Sequence, residues 1–129
     1  MDLIPEDVRA RLLANGAPSQ REKDHFPVVK LFTPDAHATW LLTELDSDAD
    51  LAFGLCDLGC PELGYVSLTE IASIRGRLGL PVERDVIFKA RFPISVYAEA
   101  ARQVGHITDA DYLLARIARD SGLSLPREA

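Results

Sequence analysis

Four acidic side chains recur at every second position in one short stretch, namely Glu44, Asp46, Asp48 and Asp50. In an extended strand residues i and i+2 point to the same face, so these carboxylates are expected to share one face. Such a row could contact a basic groove of a protein partner or bind a hard cation, and the alternative is a solvated hairpin tip. A calcium loop is excluded because Leu51 would occupy its sixth position, which requires glycine.

A second charged group, Glu83-Arg84-Asp85, lies between two apolar segments. The guanidinium group of Arg84 could form an ion network or clamp a ligand. The alternative is a surface turn before the next strand. These three residues and the four acidic residues of the row are the predicted interaction candidates.

No complete catalytic or metal-binding pattern accompanies these charges. Cys56 and Cys60 have the spacing of half a zinc site, but no second Cys or His pair follows, and both thiols are expected to be reduced. Ser67 is better explained as a helix cap than as a nucleophile, because no Gly-x-Ser-x-Gly elbow is present. The sequence therefore predicts a protein that is not an enzyme, with no catalytic residue, no metal and no cofactor.

Hydrophobic periodicity and turn residues predict the elements that carry these side chains. A helix is expected from Pro5 to Asn15, with Gly16 as a left-handed stop. Four β-rich runs follow, at 28–33, 39–45, 51–56 and 63–68. Their short links favour hairpins, because parallel neighbours need a crossover of about a dozen residues or more.

Further elements are predicted after these strands. Ser67 and Glu70 have the spacing of a capping box and predict a short helix, and residues 86–88 are expected to supply a fifth strand. Two helices complete the chain, one over 93–104 and one over 109–121 with Thr108 as its cap. The predicted fold is α+β, a mainly antiparallel sheet of about five strands with an N-terminal helix and two C-terminal helices packed against it.

One domain over residues 1–129 is expected, because a tail of under about forty residues rarely folds alone. Within it we distinguish an α+β core, residues 2–91, from a helical C-terminal extension, residues 92–129. The extension either covers one face of the sheet or serves as a docking appendage.

Several segments in order along the core resemble a small bacterial family known only as a domain of unknown function. They are Leu3-Ile4-Pro5-Glu6, Phe32-Thr33-Pro34-Asp35, Thr39-Trp40, Phe53-Gly54-Leu55, the run from Glu62 to Leu68, and the run from Leu78 to Asp85. The resemblance covers roughly residues 2–89 and implies no reaction, cofactor or catalytic residue. Members of this family often lie on plasmids and other mobile elements, so the resemblance implies a mobile-element setting.

Net charge and hydrophobic pattern indicate which kind of partner and which cellular compartment to expect. The net charge of −6 would repel a phosphate backbone at long range, so a protein partner is expected before nucleic acid. No run reaches the ~20 apolar residues of a membrane span, and the N-terminus lacks the pattern of a secretory signal, so a cytoplasmic protein without membrane contact is expected. The sequence predicts no oligomeric state.

Our functional hypothesis is a noncatalytic protein-interaction module of a mobile genetic element, in one form an inhibitor or modulator of a host defence system. The first alternative is a nucleic-acid-binding accessory factor in transfer or replication, and the second is a small metal-dependent enzyme using the acidic row. The nucleic-acid alternative would need the scattered basic residues to converge in space. Those residues are Arg9, Arg11, Arg75, Arg77, Arg84, Lys89 and Arg91.

Overall fold

A five-stranded antiparallel sheet organises the chain, and its strands run in the order β4-β3-β2-β1-β5. The computed structural model describes residues 3–122 of the 129, so the last part of the predicted extension, 123–129, lies outside the described residues. The elements are α1 (Glu6–Asn15), β1 (Val29–Phe32), β2 (Thr39–Leu45), β3 (Leu51–Asp57), β4 (Pro61–Ser67), α2 (Leu68–Ser73), β5 (Glu83–Arg84), α3 (Ile94–Val104) and α4 (Asp111–Asp120). The predicted α+β class, with its sheet and its terminal helices, is confirmed.

The fifth strand is not the apolar run that the sequence predicted. Residues 83 and 84 pair with β1 instead, Glu83 opposite Phe32 and Arg84 opposite Leu31. The chain then turns, because the Asp85 side chain accepts a hydrogen bond from the Ile87 N–H. Val86 and Ile87 are left 72% and 88% exposed, so local turn chemistry overrides their β-propensity.

Two apolar clusters lie on opposite faces of the sheet. On one face Leu41 and Leu55 pack against the buried sides of α3 and α4. On the other face Trp40, Leu42 and Ala52 pack with residues of α1 and α2. The C-terminal helices therefore cover one face of the sheet, as in the first of the two arrangements predicted for them.

A β-bulge in β2 changes which face its last residues point to. Leu42 pairs with Gly54 and Glu44 pairs with Phe53, so Thr43 has no partner in β3. The Thr43 hydroxyl donates to the Phe53 carbonyl, and the Asn15 side chain donates to the Thr43 carbonyl. These two hydrogen bonds satisfy backbone carbonyl groups at the bulge. The extra residue also turns Glu44 away from the face of Leu42.

The helix ends agree only in part with the predicted caps. Gly105 ends α3 in the left-handed region, as predicted, with φ 88°. Gly16 has an ordinary φ of −85°, so the predicted left-handed stop is wrong; glycine is needed because a Cβ there would lie 2.1 Å from the Leu45 carbonyl oxygen. Thr108 does not cap α4, because the helix begins only at Asp111 and the Thr108 hydroxyl accepts from the Ala110 N–H.

Gly54 and Gly64 are directly paired glycines that offer a matched test of packing beside the bulge. A Cβ at Gly54 would lie 2.0 Å from the Leu41 carbonyl oxygen, whereas a Cβ at Gly64 meets nothing within 4 Å. We expect Gly54→Ala to lower the free energy of unfolding by about 1–3 kcal/mol or more, because backbone would have to move. Gly64→Ala should change it by no more than about 0.5 kcal/mol in urea titrations, and equal losses would contradict this packing.

The α4 helix should unfold together with the sheet if the chain is one cooperative unit. Leu114 is 1% exposed, so Leu114→Ala is expected to cost about 2–5 kcal/mol. The single tryptophan, Trp40, lies in the opposite cluster and reports on the sheet by fluorescence. The unfolding midpoint measured by Trp40 fluorescence should fall in Leu114→Ala. It should stay unchanged in Tyr112→Ala, because Tyr112 is 77% exposed on the same helix. An unchanged midpoint in Leu114→Ala would indicate an appendage that unfolds separately.

Candidate binding site: an uncovered part of the sheet

The four predicted carboxylates do not form one row, because β2 ends at Leu45 and the chain turns before β3. The Asp46 carboxylate accepts the N–H groups of Asp50 and Leu51. Asp48 is exposed at the tip of the hairpin, while Glu44 is buried on the sheet. Within residues 3–122 no group of three or more potential metal ligands converges. The single acidic face that an extended strand would give is therefore not formed, and Asp46, Asp48 and Asp50 lie in the hairpin link of the alternative interpretation.

Asp50 stabilises the start of α2. Its carboxylate accepts hydrogen bonds from the hydroxyl of Thr69 (2.6 Å), the hydroxyl of Ser67 (2.8 Å) and the Thr69 N–H (2.9 Å). Ser67 in turn accepts from the Glu70 N–H, which confirms its predicted capping role. These bonds, the Thr69 hydroxyl first and the Ser67 hydroxyl second, lower the pKa of Asp50 below its ordinary value of 3.8.

The charged triplet at 83–85 forms no common ion network among the described residues. Its first two residues are the short strand β5, and among residues 3–122 no salt bridge includes Glu83 or Arg84. Asp85 lies 3.8 Å from Lys30, whose ammonium group contacts Asp109 at 2.6 Å. Lys30 thus links the sheet to the segment before α4. The ligand clamp through Arg84 stays a prediction, and Arg84 Nε is buried without a hydrogen-bond partner among the described residues.

The two cysteines flank the β3–β4 hairpin turn, as predicted, and both are free thiols. Cys56 is half-buried, and burial raises the pKa of its thiol, which disfavours the reactive thiolate. Cys60 is exposed at the end of the turn.

The most distinctive surface is a cross-strand line of three side chains, which we call the open row: Glu44, Phe53 and Tyr65. The rings of Phe53 and Tyr65 lie 5.1 Å apart between centroids and are tilted by 60°. Phe53 is two residues from Leu55, so the open row lies on the face that α3 and α4 cover farther along. Tyr65 is nevertheless 61% exposed, so the C-terminal helices leave this part of the face uncovered.

Two adjoining pockets, about 390 Å³ and about 280 Å³, share the open row as a common wall. The larger pocket extends to Leu63 and to Ile94 and Ser95 at the start of α3. The smaller extends toward Gly16 and Asp46 at the β2–β3 hairpin. Together they form a groove across the uncovered end of the sheet.

The segment before β1 forms the remaining wall of the groove and is held at two points. Asp24 accepts hydrogen bonds from the backbone N–H and the hydroxyl of Ser95, at 3.0 and 2.5 Å. The Glu22 N–H donates to a carboxylate oxygen of Glu44 at 2.9 Å, with Glu22 in the left-handed region at φ 67°. A non-glycine residue rarely adopts this conformation, so the surrounding contacts must impose it.

A second exposed apolar surface includes the residues just after β5, the strand at the opposite edge of the sheet from β4. Phe26, Val86 and Ile87 line a pocket of about 450 Å³ together with Arg11 and Lys89. Of the predicted basic residues, these two share a pocket, whereas others bond within the chain. Arg9 donates to the Ala49 carbonyl, Arg75 to the carbonyls of Ala72 and Ile74, and Arg91 to Asp111.

Residues 3–108 match the model of a family described as "Protein of unknown function (DUF2958)", which is more than half of the chain. The chain belongs to this family. The DUF2958 match includes α3, which we had assigned to the extension beyond residue 91, so the family region takes in one of the two C-terminal helices. Comparisons with curated proteins and with solved structures gave no match. Among the described residues, no helix is long and apolar enough to cross a membrane.

Sequence reasoning identified two residues of the DUF2958 groove, Glu44 and Asp46, for the wrong reason and missed their arrangement. Glu44 was a candidate as part of an exposed row, yet it is only 6% exposed and opposite Phe53. Phe53 and Tyr65 lie in the predicted strand runs 51–56 and 63–68, and in the structure they form a cross-strand pair. No local signal reveals the bulge, because its cause is the packing of Asn15 and Gly16 against β2.

Asp50 provides a pH-dependent test of the hairpin. Because its pKa is lowered in the folded protein, its carboxylate stabilises the fold above about pH 4, and this contribution is lost as the pH falls through the lowered pKa. Asp50→Asn should therefore lower the free energy of unfolding at pH 7 and accelerate hydrogen exchange of the Thr69 amide. Asp48→Asn removes an equal charge at an exposed position and should change neither. A destabilisation by Asp50→Asn that stays the same down to about pH 2 would contradict this role.

Proposed function

We propose that this DUF2958 protein is a noncatalytic protein-interaction module whose partner contacts β4 and the open row. The observation that supports the proposal is the combination of a free sheet edge with exposed apolar side chains. Within residues 3–122 β4 pairs only with β3, and Leu63 and Tyr65 on it are 46% and 61% exposed. An edge of this kind is a template for pairing with another chain.

The usual devices that protect a sheet edge are sparse on β4. It pairs with β3 at all seven positions without a register shift, so no bulge twists it away. Its sequence has no lysine, a single charged residue, Glu62, and one proline, Pro61, at the first position. Natural sheets commonly protect an exposed edge with lysine, proline or bulges. The exposed edge and its aromatic neighbour therefore favour a partner that binds there.

The finer part of the proposal is that the partner belongs to a host system which a mobile genetic element must counter or assist. In that setting the protein acts in the cytoplasm as an inhibitor or modulator of a defence system. The support for this part is the resemblance of its sequence to proteins of mobile elements, together with an acidic balance that disfavours nucleic acid.

The test is affinity capture of a tagged full-length protein from a related bacterium, with and without nuclease, followed by mass spectrometry. We expect a stoichiometric protein that survives nuclease, is lost with Tyr65→Lys and is retained with Tyr112→Lys. Both tyrosines are exposed, by 61% and 77%, so the two changes are matched in chemistry and differ in surface. Absence of any stoichiometric protein, or equal capture by both variants, would contradict the proposal.

A nucleic-acid accessory role is the second candidate, and the pocket that Arg11 shares with Lys89 is the observation that favours it. If this role is correct, nucleic acid alone should co-purify and capture should fail after nuclease. Binding should also weaken steeply with salt, because phosphate contacts release counterions. The variant Arg11→Gln together with Lys89→Gln should then reduce binding, whereas Tyr65→Lys should not.

A further inference from the structure

We propose that the open row receives an arginine side chain from an extended segment of the partner, with the Glu44 carboxylate as its anionic contact. This inference rests on the proposed protein-interaction function and names the chemistry of the segment that binds. It begins from an incompletely satisfied charge within the groove.

Glu44 is a buried carboxylate with one hydrogen bond to the described part of the chain. It is 6% exposed, and the Glu22 N–H is the donor, to Oε2. No salt bridge among residues 3–122 includes Glu44. A carboxylate can accept about four hydrogen bonds, and buried charges are normally paired with an opposite charge. The second oxygen, Oε1, accepts no hydrogen bond from the described residues and is not one of their fully buried unpartnered atoms, so it can accept from a cationic ligand in the groove.

The aromatic part of the open row selects the kind of cation. Phe53 lies beside Glu44 in the paired strand and Tyr65 beside Phe53, so a ligand that reaches the carboxylate passes over the rings. A guanidinium group is planar, stacks on aromatic faces and donates two parallel hydrogen bonds to a carboxylate. An ammonium group is not planar and cannot donate two parallel hydrogen bonds to one carboxylate. Arginine therefore fits the open row better than lysine.

The surroundings are compatible with a basic, extended occupant. Glu22, Asp24 and Asp46 also line the groove, so with Glu44 its acidic residues outnumber its two basic ones, Arg21 and Lys23, and the net charge of the chain is −6. The free edge of β4 lies beside Tyr65 and could hold the backbone of an added strand. Side chains of such a strand alternate between faces, so every second residue could point onto the open row.

Two basic residues of the described chain line the groove and could compete for this position, Arg21 in the smaller pocket and Lys23 in the larger. The Lys23 ammonium group donates a hydrogen bond to the Gln20 side chain, so Arg21 is the competitor to test. Arg21 is exposed and takes part in no salt bridge among residues 3–122. If the partner's arginine is the true occupant, Arg21→Gln should leave its binding unchanged or strengthen it. Loss of binding in Arg21→Gln would overturn the proposal, because Arg21 would then be part of the recognition surface rather than a competitor.

The experiment uses the full-length protein and an acetylated, amidated probe peptide, Thr-Val-Arg-Val-Thr, with a twin in which citrulline replaces arginine. Citrulline keeps the shape and removes the charge. Binding is followed by isothermal titration calorimetry and by chemical shifts of backbone amides. We expect the arginine peptide to bind about tenfold or more tightly than the twin, because a charge-assisted bidentate pair is strong. The shifts should centre on Glu22, Phe53 and Tyr65.

Glu44→Gln should abolish the preference for arginine, while Asp48→Asn, an exposed acid removed nearby, should preserve it. Glutamine keeps an oxygen for the Glu22 N–H, and Trp40 fluorescence in urea checks that the variant folds. Tyr65→Leu, which removes the exposed ring, should weaken the arginine peptide more than the twin. Equal affinity for both peptides, no binding up to the solubility limit, or shifts centred elsewhere would overturn the proposal.

Failure of this inference can be told apart from failure of the proposed function. A captured partner that is lost with Tyr65→Lys but retained with Glu44→Gln would leave the interaction function standing and overturn the arginine pocket. An arginine-selective groove without a captured protein would support the pocket and contradict the proposed function.

Discussion

The β-bulge at Thr43 is the constraint on which the groove depends. Without an extra residue, Glu44 would follow Leu42 onto the apolar face under α1, where a charge would be costly. The bulge moves it to the opposite face, beside Phe53, and leaves Leu45 to complete the core under α1. Asn15 stabilises the irregular backbone by donating to the Thr43 carbonyl. The end of α1 and the orientation of Glu44 are therefore parts of one arrangement.

The face of the sheet that carries Glu44 is covered by helices in one part and exposed in another. Leu41 and Leu55 are buried under α3 and α4, whereas one step along the strands Phe53 and Tyr65 form a ring pair at the surface. The division follows from where α3 begins, because Ser95 is held by Asp24 at the rim of the groove. An apolar surface left open beside a tightly covered one is the feature on which the proposed interaction site rests.

The sequence predicted the strands well because their signals are local. Alternating apolar residues and short polar links defined β1 to β4 within a few residues, and Ser67 was identified as a cap from spacing alone. Predictions failed where a distant contact decides the outcome. Gly16 is required by the close approach of Leu45 rather than by a left-handed turn, and the Asp50 carboxylate accepts from Thr69, which lies beyond the next strand. The groove itself arises from tertiary packing that periodicity does not encode.

The strained conformation of Glu22 indicates that the groove is shaped before any ligand arrives. A non-glycine residue in the left-handed region costs about 1–3 kcal/mol, so it persists only when other contacts compensate. Here its N–H reaches the buried carboxylate of Glu44, and two residues later Asp24 fixes the segment to α3. A wall held at both ends needs little further ordering when a partner binds. The same hydrogen bond satisfies only one side of the carboxylate, which keeps the remaining oxygen available to a cation.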